Sequence, residues 1–197
     1  TQSSPTGSAL VEGNRALLID APHLPSGLRQ RGVEQIDNVW LTHHHRDTCA
    51  AAAPLRGQGV AVRAAKAAAE WLLLEQVRKY WQENVPLRNS RAAYLVVPRG
   101  IEGVDCTLED GQTTEWRGWS LRVLATPGHS KDHLAFLAQR GSNGKRVLFC
   151  GDAVAAPGKL WAPYSTDWDH WTDVGLKPAD ASLRKLAAFP PDVCLPA

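Results

Sequence analysis

With 197 residues, 44% of them hydrophobic, the chain is long enough for one sizeable domain with its own core, and residues 1–197 are expected to form a single domain. Its 22 basic and 20 acidic residues are spread along the sequence for a net charge of +2, without the basic stripe or tail of a nucleic-acid binder. No apolar run approaches the roughly 20 residues that span a bilayer, so a soluble protein with neither a membrane nor a nucleic-acid partner is expected, its compartment left open.

In chain order, Arg15 to Asp20 (R-A-L-L-I-D) and Asn38 to Thr42 (N-V-W-L-T) read as buried strands ending in polar residues. Ala61 to Arg63 is a weaker strand. Lys66 to Leu74 and Leu74 to Glu83, rich in Ala, Leu and Glu, read as helices. Strands are then predicted at Tyr94 to Val97, Trp119 to Ala125, His133 to Ala138 and Arg146 to Cys150, with turns near Asp110-Gly111 and at Ser142-Asn143-Gly144. A loop rich in Pro, Gly and Trp covers Ala155 to Trp171. Pro178 to Ala188 reads as a helix with Ala179, Leu183, Leu186 and Ala187 on one face, and Val193 to Leu195 as a last apolar run. The pattern is α/β. Polar residues able to bind metal follow strand ends repeatedly, at Asp20, His43, His129 and Asp152.

The chemistry concentrates in Thr42-His43-His44-His45-Arg46-Asp47-Thr48, directly after the apolar Val39-Trp40-Leu41. Imidazole and carboxylate suit zinc, iron, manganese or nickel. In an extended segment His43 and His45 point one way and His44 the other, and Asp47 continues the alternation if the segment stays extended. A surface histidine cluster is the alternative, disfavoured by the strand that leads in. The four cysteines, Cys49, Cys106, Cys150 and Cys194, form no C-x-x-C pair, which excludes a zinc ribbon and argues against a dense disulfide framework.

Residues 42–48 resemble the H-x-H-x-D-H signature of the metallo-β-lactamase superfamily, with Thr48 in place of the last histidine. Thr126-Pro127-Gly128-His129-Ser130 is similar to that family's T-P-G-H-[ST] loop. Phe149-Cys150-Gly151-Asp152 is similar to its strand ending in Gly-Asp, and Leu17-Leu18-Ile19-Asp20 to its early strand with a supporting aspartate. The resemblance implies an αββα four-layer sandwich and a metal centre of His43, His45, Asp47, His129 and Asp152. His43, His45 and His129 would hold a first ion; Asp47 and Asp152 would serve a second and act as the catalytic carboxylates.

Two departures follow. Thr48 is a poor substitute for an imidazole, and the chain stops at Cys194-Leu195-Pro196-Ala197, one residue short of the family's final histidine. Truncation at both ends is therefore expected, with a mononuclear centre or a weak second position. The expected cofactor is zinc, one or two ions, with iron or manganese as alternatives. The expected function is hydrolysis of an ester, thioester, lactone or related bond of a small-molecule substrate by metal-activated hydroxide. The rivals are a mononuclear iron oxidoreductase and a non-catalytic member of the family.

Other residues carry two readings each. His133 is either a donor near the site or, preferably, a buried histidine bonded to backbone. His23 is a substrate contact or a plain loop residue, and His44 or His170 can supplement the second ion. Cys49, placed at a helix start, is a metal ligand or redox-sensitive thiol or, preferably, a small buried residue beneath the metal loop. Trp161, Trp168 and Trp171 form a substrate wall or a hinge, whereas Trp71 and Trp81 read as core or interface.

Overall fold

A computed structural model of the protein describes residues 7–84, 97, 99–160 and 176–197. The chain divides into two compact units, Thr1–Thr107 and Leu108–Ala197. Each is built around one five-stranded sheet.

In the first unit, strands β1 (Ser8–Glu12) and β2 (Arg15–Ile19) form an antiparallel hairpin. Strand β3 (Gln35–Trp40) lies parallel to β2, β4 (Ala61–Ala65) parallel to β3, and β5 (Cys106–Leu108) closes the order β1-β2-β3-β4-β5. Ala16, Leu17, Leu18 and Ile19 of β2 are all buried, as expected of a central strand covered on both faces. A 3₁₀ helix (Ser26–Arg31) joins β2 to β3; α1 (Arg46–Cys49) and α2 (Ala52–Gly57) join β3 to β4. Because β2 and β3 run parallel and in register through Ile19 and Trp40, Asp20 and the histidine run leave the sheet at the same edge.

Helices α3 (Lys66–Leu72) and α4 (Leu74–Asn84) follow. They are separate because Leu73 turns extended (φ −62°, ψ 135°) and bridges to Ile101. The Leu74 N–H donates to the Ile101 carbonyl and the Ile101 N–H to the Leu72 carbonyl, both at 2.8 Å. The approach requires Gly100, where a Cβ would lie 2.5 Å from the Leu74 Cα.

In the second unit, β6 (Thr113–Trp116), β7 (Trp119–Ala125), β8 (Leu134–Arg140) and β9 (Arg146–Gly151) form an antiparallel meander. The β6–β7 turn has Arg117 and Gly118 both at positive φ, the primed turn that suits the twist of a two-residue hairpin. Helix α5 (Leu176–Ala187) leads to β10 (Val193–Pro196), which pairs parallel with β9. Leu186 of α5 packs with Leu124, Ala135, Leu148 and Cys150, and Phe189 seals the edge of that cluster.

The predicted strands at β2, β3, β4, β7, β8, β9 and β10 are present, β7 with its predicted ends and each of the others with at least one end shifted by one to three residues. Strands β1, β5 and β6 were not predicted. They are short, with apolar runs of three residues or fewer, and β1 and β6 owe their pairing to the stronger strand beside each. Most of the predicted strand Tyr94 to Val97, and residues 161–171 of the tryptophan-rich loop, lie outside the described residues.

Candidate metal centre

The first unit contributes Asp20 and the histidine run. Asp20 sits just past β2 with φ 60°, a left-handed conformation that Asp tolerates better than most residues. It is buried, and its carboxylate accepts from the Thr42 N–H at 2.8 Å and the Thr42 hydroxyl at 2.9 Å. Burial dominates its titration: loss of hydration pushes the Asp20 pKa up to about 7, although both Thr42 bonds favour the charged form.

The Thr42 hydroxyl also lies 3.0 Å from His43 Nδ1. A hydroxyl has one proton, and here it goes to Asp20, so His43 Nδ1 must donate to Thr42 and Nε2 must carry the ring's lone pair. Metal-ligating histidines are oriented in this way, one ring nitrogen donating to a supporting acceptor while the other faces the ion.

His45 is buried with His43, their rings edge to face at 4.5 Å. His44 turns to the other side, as i, i+2 alternation requires, and stacks on Trp71 of α3 at 5.1 Å with an interplanar angle of 18°. The extended alternation then stops. His45 is the last extended residue (φ −62°, ψ 147°) and α1 begins at Arg46, so Asp47 rides the first turn of a helix, exposed to solvent.

Thr48 and Cys49 hold this loop from below. The Thr48 hydroxyl donates to the His45 carbonyl at 2.9 Å, and the Cys49 thiol lies 3.0 and 3.1 Å from the His45 and His44 carbonyls. Cys49 is fully buried and is the last residue of α1, which corrects the expectation that it opens a helix. The helix-start reason for a reactive thiol is gone.

In the second unit, the Thr126–Ser130 loop leaves β7 and Asp152 follows β9. His129 Nε2 lies 3.2 Å from Asp152 Oδ2, and both residues are buried. Two donor atoms each about 2.0–2.2 Å from one ion, at near-tetrahedral angles, stand about this far apart. The pair therefore fits a shared divalent metal, and an imidazole–carboxylate donor pair suits zinc or iron. Helix α5 braces the loop: the Ser182 hydroxyl donates to the Pro127 carbonyl at 2.7 Å. At Gly128 a Cβ would lie 2.7 Å from both Cα and Cβ of Ala179, so only glycine permits this approach of loop to helix.

His133 is fully buried, and its Nε2 accepts from the backbone N–H of Asp152 at 3.0 Å. Its Nδ1, the remaining N–H, then donates to the Thr126 hydroxyl at 2.8 Å. Burial drives the His133 pKa down to about 4, in keeping with a neutral ring that accepts through one nitrogen. The residue is thus bonded to backbone, and the backbone it holds is that of Asp152.

The structure brings together His43 with His45, and His129 with Asp152. His23 is exposed, and His170 lies outside the described residues together with Trp161, Trp168 and Trp171. Thr42 and Thr126, which bond to His43 and His133, carry no role in the sequence pattern. The available signal was a threonine at the end of each apolar strand, directly before His43 in one case and opening the loop of His129 in the other.

A family model described as the metallo-beta-lactamase superfamily matches residues 6–197. Among curated proteins, the Hydroxyacylglutathione hydrolase of Aeromonas hydrophila is 27% identical over 82% of this chain and 46% of its own length. That of Dechloromonas aromatica is 25% identical over 94% of this chain and 54% of its own length. The chain thus spans about half the length of the curated relatives it matches. Among solved structures, a Cronobacter sakazakii metallo-beta-lactamase with a HARLDQ motif superposes with a TM-score of 0.69 at 20% identity, covering 99% of this chain and 74% of that one. TTHA1623, solved in a di-iron-bound form, gives a TM-score of 0.62 at 25% identity, covering 97% and 85%.

Proposed function

Because this chain belongs to the metallo-beta-lactamase superfamily, we propose that it is a metal-dependent hydrolase with His43, His45, Asp47, His129 and Asp152 as its metal-binding residues. The observation that carries the reading is the Asp20–Thr42–His43 relay, which leaves Nε2 of a buried imidazole as the ligating atom. His43, His45 and His129, all buried, are the proposed ligands of one ion; Asp152, 3.2 Å from His129 Nε2, would reach that same ion and join Asp47 at a second. Thr48 commits its hydroxyl proton to the His45 carbonyl and adds no imidazole there, so the second position is the weaker. The family match over residues 6–197 supports reading the chain as one domain.

Zinc, when bound, supplies Lewis acidity and a nucleophilic water near neutral pH. The chain's own residues do the rest. Asp20 and Thr42 keep His43 in the ligating tautomer. His133 fixes the backbone of Asp152, whose carboxylate orients the attacking water, and Asp47 accepts the proton that the water gives up on attack and returns it to the departing group as the scissile bond breaks. The relatives' names point to a thioester of the hydroxyacyl-glutathione class as the small-molecule substrate. The di-iron form of TTHA1623 makes iron the second candidate metal.

The test is to strip the protein of metal, reload it separately with zinc, iron(II) or manganese(II), and assay hydroxyacyl thioesters of glutathione beside lactones, esters and β-lactams. Thioester hydrolysis by at least one loaded form, lost in His43→Ala, is the expected result. A chain inert on every substrate in every metal state replaces this reading with that of a non-catalytic member of the family.

A further inference from the structure

Cys150 and Cys194, 44 residues apart in the sequence, meet in space. Cys150 Sγ and Cys194 Sγ lie 3.4 Å apart, on the neighbouring parallel strands β9 and β10. The register explains the meeting. Cys194 pairs with Leu148, and Cys150, two residues further along β9, points to the same face. The pairing then slips, Leu195 opposing Phe149 and Pro196 opposing Gly151, so Cys150 is the extra residue of a bulge. Both are free thiols; Cys194 is exposed and Cys150 is buried.

We propose that Cys150 and Cys194 are a redox-active dithiol that closes to a disulfide by exchange with a low-molecular-weight disulfide. The exposed Cys194 sulfur attacks one sulfur of the oxidant, the oxidant's S–S bond breaks, and one small thiol leaves. Cys150 then attacks the Cys194 sulfur of the mixed disulfide, forming the protein S–S bond and releasing the second small thiol. Two protein thiols are oxidised, the small disulfide is reduced to two thiols, and both protein protons leave with the products. A buried partner already at van der Waals distance makes the second step intramolecular, so the mixed disulfide is short-lived. The bond encloses residues 151–193, Asp152 and α5 among them, and latches β10 onto β9, the strand that leads into Asp152. Closing so long a segment restricts the unfolded chain. The proposal stands apart from the hydrolase reading.

The experiment equilibrates the purified protein in glutathione buffers of increasing oxidised-to-reduced ratio, quenches with an alkylating agent in denaturant so that the buried Cys150 is reached, and maps the peptides without reduction. The expected result is a cross-link between the Cys150 and Cys194 peptides. In Cys194→Ser, Cys150 should remain fully alkylatable at every ratio. The oxidised wild type should also melt several degrees above its reduced form, with no such difference in Cys194→Ser. Persistence of Cys194 as a stable mixed disulfide beside an alkylatable Cys150 overturns the proposal. So does full alkylation of both at every ratio.

Discussion

His129 Nε2 and Asp152 Oδ2 stand 3.2 Å apart in a buried pocket of the second unit, each following the end of a strand. Held this close, an imidazole and a carboxylate are relieved either by a proton between them or by a shared cation. A divalent ion that binds the folded state alone stabilises it by RT ln(1 + [M]/Kd), about 2.7 kcal/mol at one hundred times Kd. Zinc added to metal-depleted protein should therefore raise the Tm by roughly 5–10 °C for a chain of this size. His129→Ala should abolish most of that shift and lower the metal content measured by elemental analysis. An unchanged metal content in His129→Ala would remove this residue from the centre.

The Thr42 hydroxyl joins Asp20 to His43, so its removal acts on metal binding without touching a ligand. Thr42→Val keeps the shape, leaves Asp20 with the Thr42 N–H alone, and frees the His43 ring to turn or change tautomer. Losses of this kind typically cost 10–100-fold in metal affinity, and about that range is expected from competition against a chromophoric chelator. Thr42→Ser should stay near wild type. If Thr42→Val binds as tightly, the relay has no part in holding the ligand.

Gly128 is set by contact with Ala179 on α5. Gly128→Ala forces loop and helix apart and should cost about 1–3 kcal/mol, read from the urea midpoint. Ala179→Gly in the same chain removes the Cβ that lies 2.7 Å away and should restore part of the loss. The recovery is partial because the Ala179 Cα is equally close and glycine inside a helix itself costs about 0.5–1 kcal/mol.

His133 gives a pH dependence of definite sign. Its folded pKa, about 4, lies below the ordinary 6.5, so the unfolded chain binds the proton more readily. The associated stability is complete above pH 6.5 and is lost as pH falls toward 4. Asp20, with its pKa raised to about 7, works in the opposite direction, its contribution fading as pH rises from 3.8 to 7. Comparing metal-depleted wild type with His133→Gln cancels the Asp20 part. The stability difference between the two should shrink from pH 7 to pH 4 in urea titrations; a constant difference contradicts the neutral buried ring.

The candidate ligand types and their immediate spacing are legible in the sequence because they are local. A histidine pair at i, i+2 after an apolar strand needs only an extended backbone to point one way, and His43 and His45 lie together as that spacing implies. The same reasoning fails one step later. Whether Asp47 continues the alternation depends on where the strand stops, and α1 starts at Arg46.

What tertiary structure alone decided are the pairings across long stretches of chain. Thr42 meets Asp20 from 22 residues away, Asp152 meets His133 from 19, and Cys194 meets Cys150 from 44. Residue type and local periodicity were enough to pick out side chains able to bind a metal and the strands that lead to them. Strand register and the bulge in β9 determined which hydroxyl orients which ring and which thiols touch. A slip of one residue turns every side chain of a strand to the opposite face, so no local pattern contains that information.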